Sequence, residues 1–246
     1  MLLFLGDLHL GRGSKTASRA AELDAVALME TYAEQMADEQ GGLVLLGDVF
    51  NAYMEYGRMV PAGFVRLQGA LAALVDRGVR VTYVVGNRDL WHLRHFQEEV
   101  GVHLVRDERR ISAYGYETLI AHGDGLAPGE RAYNLLRPLL RSRLAYLLYR
   151  NLLPGDTGFR VARSLARTGT GSPRPELVED LRNAAEILTR QRGLDLVVLG
   201  HCHAAELTRF PAGAYLNPGY WFENRTYGIL DVDGPRLEQW MPGRGR

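Results

Sequence analysis

Five short apolar runs mark the chain, and each ends on a polar residue that can bind a proton or a metal. Leu2–Leu5 runs into Gly6-Asp7-Leu8-His9, Leu43–Leu46 into Gly47-Asp48, and Val81–Val85 into Gly86-Asn87-Arg88-Asp89. Thr118–Ala121 runs into His122-Gly123-Asp124, and Leu196–Leu199 into Gly200-His201-Cys202-His203. Runs of this length bounded by turn residues read as buried strands. Between the first three lie stretches of helical spacing. Ala21–Glu39 places Leu23, Val26, Met29, Ala33 and Met36 at steps of three and four, and Ala62–Asp76 repeats the pattern. Gly11–Ala20 is small, polar and basic, and reads as a mobile loop over the first strand end. Strands alternating with helices predict parallel pairing, helices on the sheet faces, and strand C-termini gathered on one edge.

The pattern changes after residue 100. Val102–Val105, Arg110–Tyr114 and Glu117–Ala121 are close together and predict partly antiparallel strands, with a hairpin turn at Tyr114-Gly115-Tyr116. Glu176–Gln191 predicts a helix feeding the strand before His201. Ala205–Trp240, broken by Asn217-Pro218-Gly219 and Asp233-Gly234-Pro235, predicts a second, largely antiparallel sheet. Arg131–Thr170 stands apart. It carries eight arginines and one acidic residue, Asp156, among many leucines. Two helical pieces broken around Pro154-Gly155 are expected, forming a cationic, Leu-rich cap that overhangs the strand ends. Such a cap suits an anionic substrate with an apolar portion, or a membrane surface.

At 246 residues and 46% hydrophobic content, the chain can bury a full core as one domain. Its formal net charge of zero supplies no field toward nucleic acid, and none is expected as a partner. The lone cysteine, Cys202, rules out an internal disulfide and fits a reducing compartment. Met1–Leu5 lacks a basic leader and is interrupted by Asp7 and His9, so it reads as a strand rather than a signal peptide. The expected location is cytoplasmic, at most peripheral on a membrane face.

Asp7 and His9 alternate by two, so an extended backbone turns both to one side, and His201 and His203 repeat that spacing. Asp48, Asn87 and His122 each follow a separate strand. Imidazole and oxygen donors without thiolate suit Mn²⁺, Fe²⁺ or Zn²⁺, and paired ions need a bridging carboxylate. Taken together, Gly6-Asp7-X-His9, Gly47-Asp48, Gly86-Asn87, His122 and Gly200-His201-X-His203 resemble the calcineurin-like metallophosphoesterase family over nearly the whole chain. The resemblance implies a two-sheet α/β sandwich with a helical cap insertion at about 126–172. It also implies two divalent ions, Mn²⁺ foremost. One would be held by Asp7, His9 and His203, the other by Asn87, His122 and His201, with Asp48 between them. Water activated by the ions would attack phosphorus in line.

Most of that family has His after the Asn. Gly86-Asn87-Arg88-Asp89 here resembles the branch that cleaves the diphosphate of UDP-2,3-diacylglucosamine in lipid A synthesis. Arg88 cannot release a proton near neutral pH, but it can grip phosphate oxygens bidentately, which suits a phosphate leaving group. The resemblance makes Asn87, Arg88 and Tyr133 substrate contacts, with Arg88 catalytic. The cap would hold acyl chains, with Arg137, Arg141 and Arg143 as phosphate or membrane contacts. It further implies work at the inner membrane surface. Ala127-Pro128-Gly129-Glu130, Asn51 and Ala204-Ala205 depart from the branch and bear on the substrate rather than the reaction class. A soluble nucleotide or another phosphodiester is the alternative substrate, and a non-catalytic scaffold the alternative role. Trp91, Tyr220 and Trp221 are candidates for a base pocket, and His92 or His95 for a place near the site.

Overall fold

The structure is a computed structural model that describes residues 1–57, 59–166 and 171–241. Its elements, in chain order, begin with β1 (Leu2–Leu5), α1 (Lys15–Thr31), α2 (Ala33–Met36), β2 (Gly42–Leu45), α3 (Val65–Asp76), β3 (Val81–Val84), α4 (His95–Glu98) and β4 (His103–Val105). A hairpin follows, β5 (Glu108–Ala113) and β6 (Tyr116–Ala121), then the cap helices α5 (Arg131–Leu140), α6 (Arg143–Leu152) and α7 (Gly155–Ala166). The chain closes with α8 (Pro175–Arg192), β7 (Leu196–Leu199), β8 (Ala205–Phe210), β9 (Gly213–Pro218), α9 (Trp221–Asn224), β10 (Thr226–Asp231) and β11 (Gly234–Gln239).

These strands form two mixed sheets, ordered β11-β10-β1-β2-β3-β4 and β5-β6-β7-β9-β8. Alternation along each strand explains the layering. Leu2 and Phe4 of β1 face the second sheet with Val44, Val84, Ile120, Val198 and Leu216. Leu3 and Leu5 face the other way, onto Ala21, Ala25 and Leu28 of α1 and Leu67 and Leu71 of α3. On the far side, Leu119, Val197 and Tyr215 pack under Leu177, Leu181 and Ala185 of α8. Parallel registers Leu3↔Leu43, Leu43↔Val81 and Ile120↔Val198 align the strand C-termini. All five polar strand ends therefore meet at one edge of the sandwich.

Four sequence expectations change. The helix after β1 starts at Lys15, because Ser14 caps it by accepting the Ala17 N–H at 3.1 Å. Lys15 to Ala20 of the expected loop are therefore helical. β4 pairs in parallel with β3 in the first sheet instead of joining the hairpin. The 205–240 segment divides, with β8 and β9 in the second sheet and β10 and β11 completing the first. The cap contains three helices rather than two. α5 ends soon after Pro138, which lacks a backbone donor, and Ser142 then caps α6 by accepting the Ala145 N–H at 3.0 Å. Residues 167–170 of the Arg-rich stretch lie outside the described residues.

Candidate metal centre

Backbone conformation singles out the strand ends first. Eight described non-glycine residues have positive φ, and five of them are Asp7, His9, Asp48, His201 and His203, at 42–71°. Each such conformation costs an L-residue about 1–3 kcal/mol, and strain of this kind collects where side chains must be aimed. Two glycines make the crowding feasible. A Cβ on Gly86 would lie 2.2 Å from Asp48 Oδ1, and one on Gly47 would lie 2.6 Å from His122 Nδ1.

The side chains then converge. Asp7, His9 and His203 each bring a donor atom within 4.8 Å of the others, as do Asp7, Asp48 and His122. Asp48 spans the two groups, with Oδ2 3.7 Å from His9 Nε2 and Oδ1 3.6 Å from His122 Nε2. Arg88 holds this carboxylate through its backbone N–H at 2.8 Å, and its Nε lies 4.0 Å from Oδ2. Asp89, also on the turn, accepts bonds from the Val49 and Gly86 N–H groups and the Tyr83 hydroxyl, which locks the loop.

Tautomers follow from the outer partners. His122 Nδ1 lies 2.6 Å from the Leu46 carbonyl and His203 Nδ1 2.8 Å from the Gly171 carbonyl. A carbonyl only accepts, so both rings donate from Nδ1, and in the neutral form each offers a lone pair at Nε2. His122 Nε2 then faces Asn87 Oδ1 at 3.0 Å, and His203 Nε2 faces His9 Nε2 at 3.0 Å. Among the described residues, Asp7 Oδ1 and His9 Nδ1, both buried, have no hydrogen-bond partner. Acceptors crowded around one point, with a buried carboxylate oxygen unpaired, are what a divalent cation satisfies. The residues present fit a pair of such ions.

Electrostatics divide the donors: despite burial, Asp7 holds the His203 imidazole, and Glu130 the His201 imidazole, above their ordinary range. Burial pushes the His9 and His122 imidazoles below their ordinary range and keeps them neutral. Burial opposes ionisation of Asp7, yet neighbouring His203 and His9 hold its carboxyl well below the usual range. Burial pushes the Asp48 carboxyl up. Burial pushes the Cys202 thiol to about 11, which leaves no thiolate for nucleophilic attack.

His201 is placed differently from the rest. Its backbone N–H donates to Asp7 Oδ2 at 2.8 Å, but its Nε2 lies 2.9 Å from Glu130 Oε2, and Glu130 pairs in turn with Arg174. Sequence reading noted Glu130 only as a departure and passed over Arg174. Both line a cleft of about 360 Å³ together with Asp48, Asn87, Arg88 and His203. Glu130's place one position before α5, just after a strand-end motif, was the available signal.

Tyr133, Arg137 and Arg141 do not line that cleft. The Tyr133 hydroxyl donates to Asp124 Oδ2 at 2.6 Å, Arg137 Nε to the same oxygen at 3.0 Å, and Arg141 Nη2 to both Asp124 oxygens. Arg137 and Arg141 thus anchor the cap to the strand end. Trp91 Nε1 donates to the Leu140 carbonyl, Trp221 Nε1 to the Ala21 carbonyl in the core, and Tyr220 stacks on His203. His92 is buried against Tyr53, and His95 Nε2 meets Gln68, so neither joins the centre.

Comparison with known proteins points the same way. The family model described as calcineurin-like phosphoesterase matches residues 1–205. A protein named UDP-2,3-diacylglucosamine hydrolase from Ectopseudomonas mendocina is 31% identical over 97% of both chains. Its namesake from Porphyromonas gingivalis is 27% identical over 94% of both. Among solved structures, the phosphoesterase Yfce from E. coli aligns with 97% of this chain and 92% of its own, at 17% identity and a TM-score of 0.49. With a family match over more than half its length and the Asp and His donors gathered at the strand ends, the chain belongs to the calcineurin-like phosphoesterases and is a metal-dependent phosphoesterase.

Proposed function

We propose that the protein hydrolyses the diphosphate of UDP-2,3-diacylglucosamine, releasing UMP and 2,3-diacylglucosamine 1-phosphate at the cytoplasmic face of the inner membrane. The observation that carries the substrate is the cap. Its two ends, Glu130 and Ser172, both line the cleft. Between them Leu135, Leu136, Leu139, Leu144, Leu148 and Leu152 are 50–82% exposed. A phosphoesterase for a small soluble substrate has no use for so much exposed apolar surface on its cap, whereas acyl chains and a lipid surface do. Its relatives named for the same lipid substrate support the reading. Among the described residues no helix is long and apolar enough to cross a membrane, so contact would be peripheral.

In this reading Asp7, His9 and His203 hold one divalent ion, Asn87, His122 and His201 the other, and Asp48 lies between them. When bound, such ions make water nucleophilic near neutral pH and offset charge on phosphoryl oxygens, and the donor set is compatible with Mn²⁺, Fe²⁺ or Zn²⁺. Leu46 and Gly171, through their carbonyls, keep the Nε2 lone pairs of His122 and His203 turned inward. Arg88, on the cleft wall, grips phosphate oxygens as charge builds on them. No group need protonate the departing phosphate, which accounts for Arg at this position. Tyr133 enters as part of the cap anchor on Asp124.

The test is UMP release from UDP-2,3-diacylglucosamine with added Mn²⁺, comparing the unmodified protein with His122→Ala and Arg88→Ala. Release that falls by about 100-fold or more in both variants is expected. Mn²⁺-dependent cleavage of a generic phosphodiester with no UMP release would discard the substrate and keep the reaction class.

A further inference from the structure

His203 is held on three sides. Its Nδ1–H donates to the Gly171 carbonyl at 2.8 Å, which turns Nε2 toward Asp7 Oδ1 at 3.3 Å and His9 Nε2 at 3.0 Å. The Tyr220 ring lies flat on its face, centroids 4.2 Å apart and planes 7° from parallel. The same ring meets His9 edge-on at 5.5 Å and 82°. Tyr220 thus touches two of the three donors in one half of the centre. Its own hydroxyl is buried and has no hydrogen-bond partner among the described residues. An orphan buried hydroxyl is a cost rather than a gain, so the position contributes through the ring. Gly171 is set by that ring as well. A Cβ there would come within 3.1 Å of the Tyr220 ring edge and hydroxyl and 3.0 Å of Arg12 Nη2, so a bare α-carbon lets the carbonyl reach His203.

The other half shares the carbonyl device, the Leu46 carbonyl lying 2.6 Å from His122 Nδ1, and differs in what meets its rings. His201 Nε2 lies against Glu130 Oε2 at 2.9 Å, and His201 meets His122 edge-on at 5.0 Å. Among the described residues no tyrosine ring stacks on either. A ligand whose plane and tautomer are already fixed loses less freedom when it binds metal.

We infer that Tyr220 is a positioning residue for His203 and that its ring makes the Asp7–His9–His203 half the tighter of two unequal cation sites. The inference rests on the two-ion reading proposed above. Mn²⁺ titration followed by electron paramagnetic resonance, with metal analysis after gel filtration, needs no substrate. The unmodified protein is expected to load two Mn²⁺ in two unequal steps. Tyr220→Leu weakens the tighter step by about 10–100-fold and leaves the weaker one unchanged. Tyr220→Phe, which keeps the ring, holds both steps within about threefold.

An unaltered isotherm in Tyr220→Leu overturns the inference, as does loss of the tighter step in Tyr220→Phe. Equal weakening of both steps, with a lower melting temperature, assigns the residue to packing and overturns it too. No Mn²⁺ binding by the unmodified protein removes the two-ion reading and the inference together. Two unequal steps in a protein that then fails to cleave the lipid diphosphate sustain the inference and discard only the substrate.

Discussion

Arg141 sets one guanidinium nitrogen, Nη2, 2.9 Å from each carboxylate oxygen of Asp124. Asp124 lies two residues past His122, and Arg141 fills the turn between α5 and α6. The contact therefore ties the cap to a strand end that carries a candidate ligand. Arg137 and Arg141 extend the tie to Asp107 beyond β4.

Removing the Arg141 side chain leaves Asp124 still bonded to Tyr133 and Arg137, so Arg141→Ala should fold and lose only cap docking. Loss of a charge-assisted hydrogen bond of this kind costs about 1.5–3 kcal/mol. Amide hydrogen exchange across 131–152 is expected to speed up accordingly, while β1, β2 and β7 keep their protection. Unchanged exchange in the cap would show that Tyr133 and Arg137 anchor it alone.

The same carboxylate sets a pH dependence. Burial would raise the Asp124 pKa, but the Arg141 guanidinium, the Tyr133 hydroxyl and Arg137, joined by His122 once acid protonates it, more than offset it and hold the carboxyl well below its usual range. A group depressed in the folded state contributes stability that is complete above its unfolded pKa, about 3.9, and is lost as pH falls from there toward the folded value. Cap protection is expected to be flat from pH 7 to 5 and to fall below about pH 4. In Asp124→Asn it should be lower throughout and show a smaller acid-dependent fall. An equal fall in both proteins at pH 3.5, read by pulse proteolysis, would place the sensitive group elsewhere.

The contrast between centre and cap shows what a linear sequence carries. The convergence of Asp7, His9, Asp48, His122 and His203 was legible because each stands within a few residues of the end of an apolar run, and parallel pairing gathers such strand ends without further information. The faces of β1 were legible for the same reason, since a run apolar on both faces must be covered on both. The Asp124 anchor was not. An Arg- and Leu-rich stretch reads alike whether its arginines face solvent, phosphate or a buried carboxylate, and only folding supplies the partner. Glu130 against His201 is a contact across 71 residues with no periodic signature. The first part of α1, Lys15 to Ala20, was hidden by small polar residues, although Ser14 three positions before Ala17 is a cap that could have been read. β10 and β11 were assigned to the wrong sheet because a hairpin's pattern does not say which open edge it joins.

Metal removal should register in stability as well as activity. The centre buries Asp7 and Asp48 side by side among His9, His122 and His203, an arrangement with unpaired acceptors in the absence of cations. Cations that bind only the folded chain stabilise it by mass action, by about 2.7 kcal/mol for one ion at a hundred times its Kd. For a chain of this size each kcal/mol moves Tm by about 2–4 °C. Adding Mn²⁺ to chelator-treated protein is therefore expected to raise Tm by about 5–11 °C. Asp48→Asn keeps the shape but removes the carboxylate between the two halves, so its rise should be less than half as large. Protons compete for the same imidazoles, so the rise should be greater at pH 8 than at pH 5.5. A Tm that ignores Mn²⁺ at both pH values, in calorimetry on the unmodified protein, would mean that these acceptors do not gather around a cation.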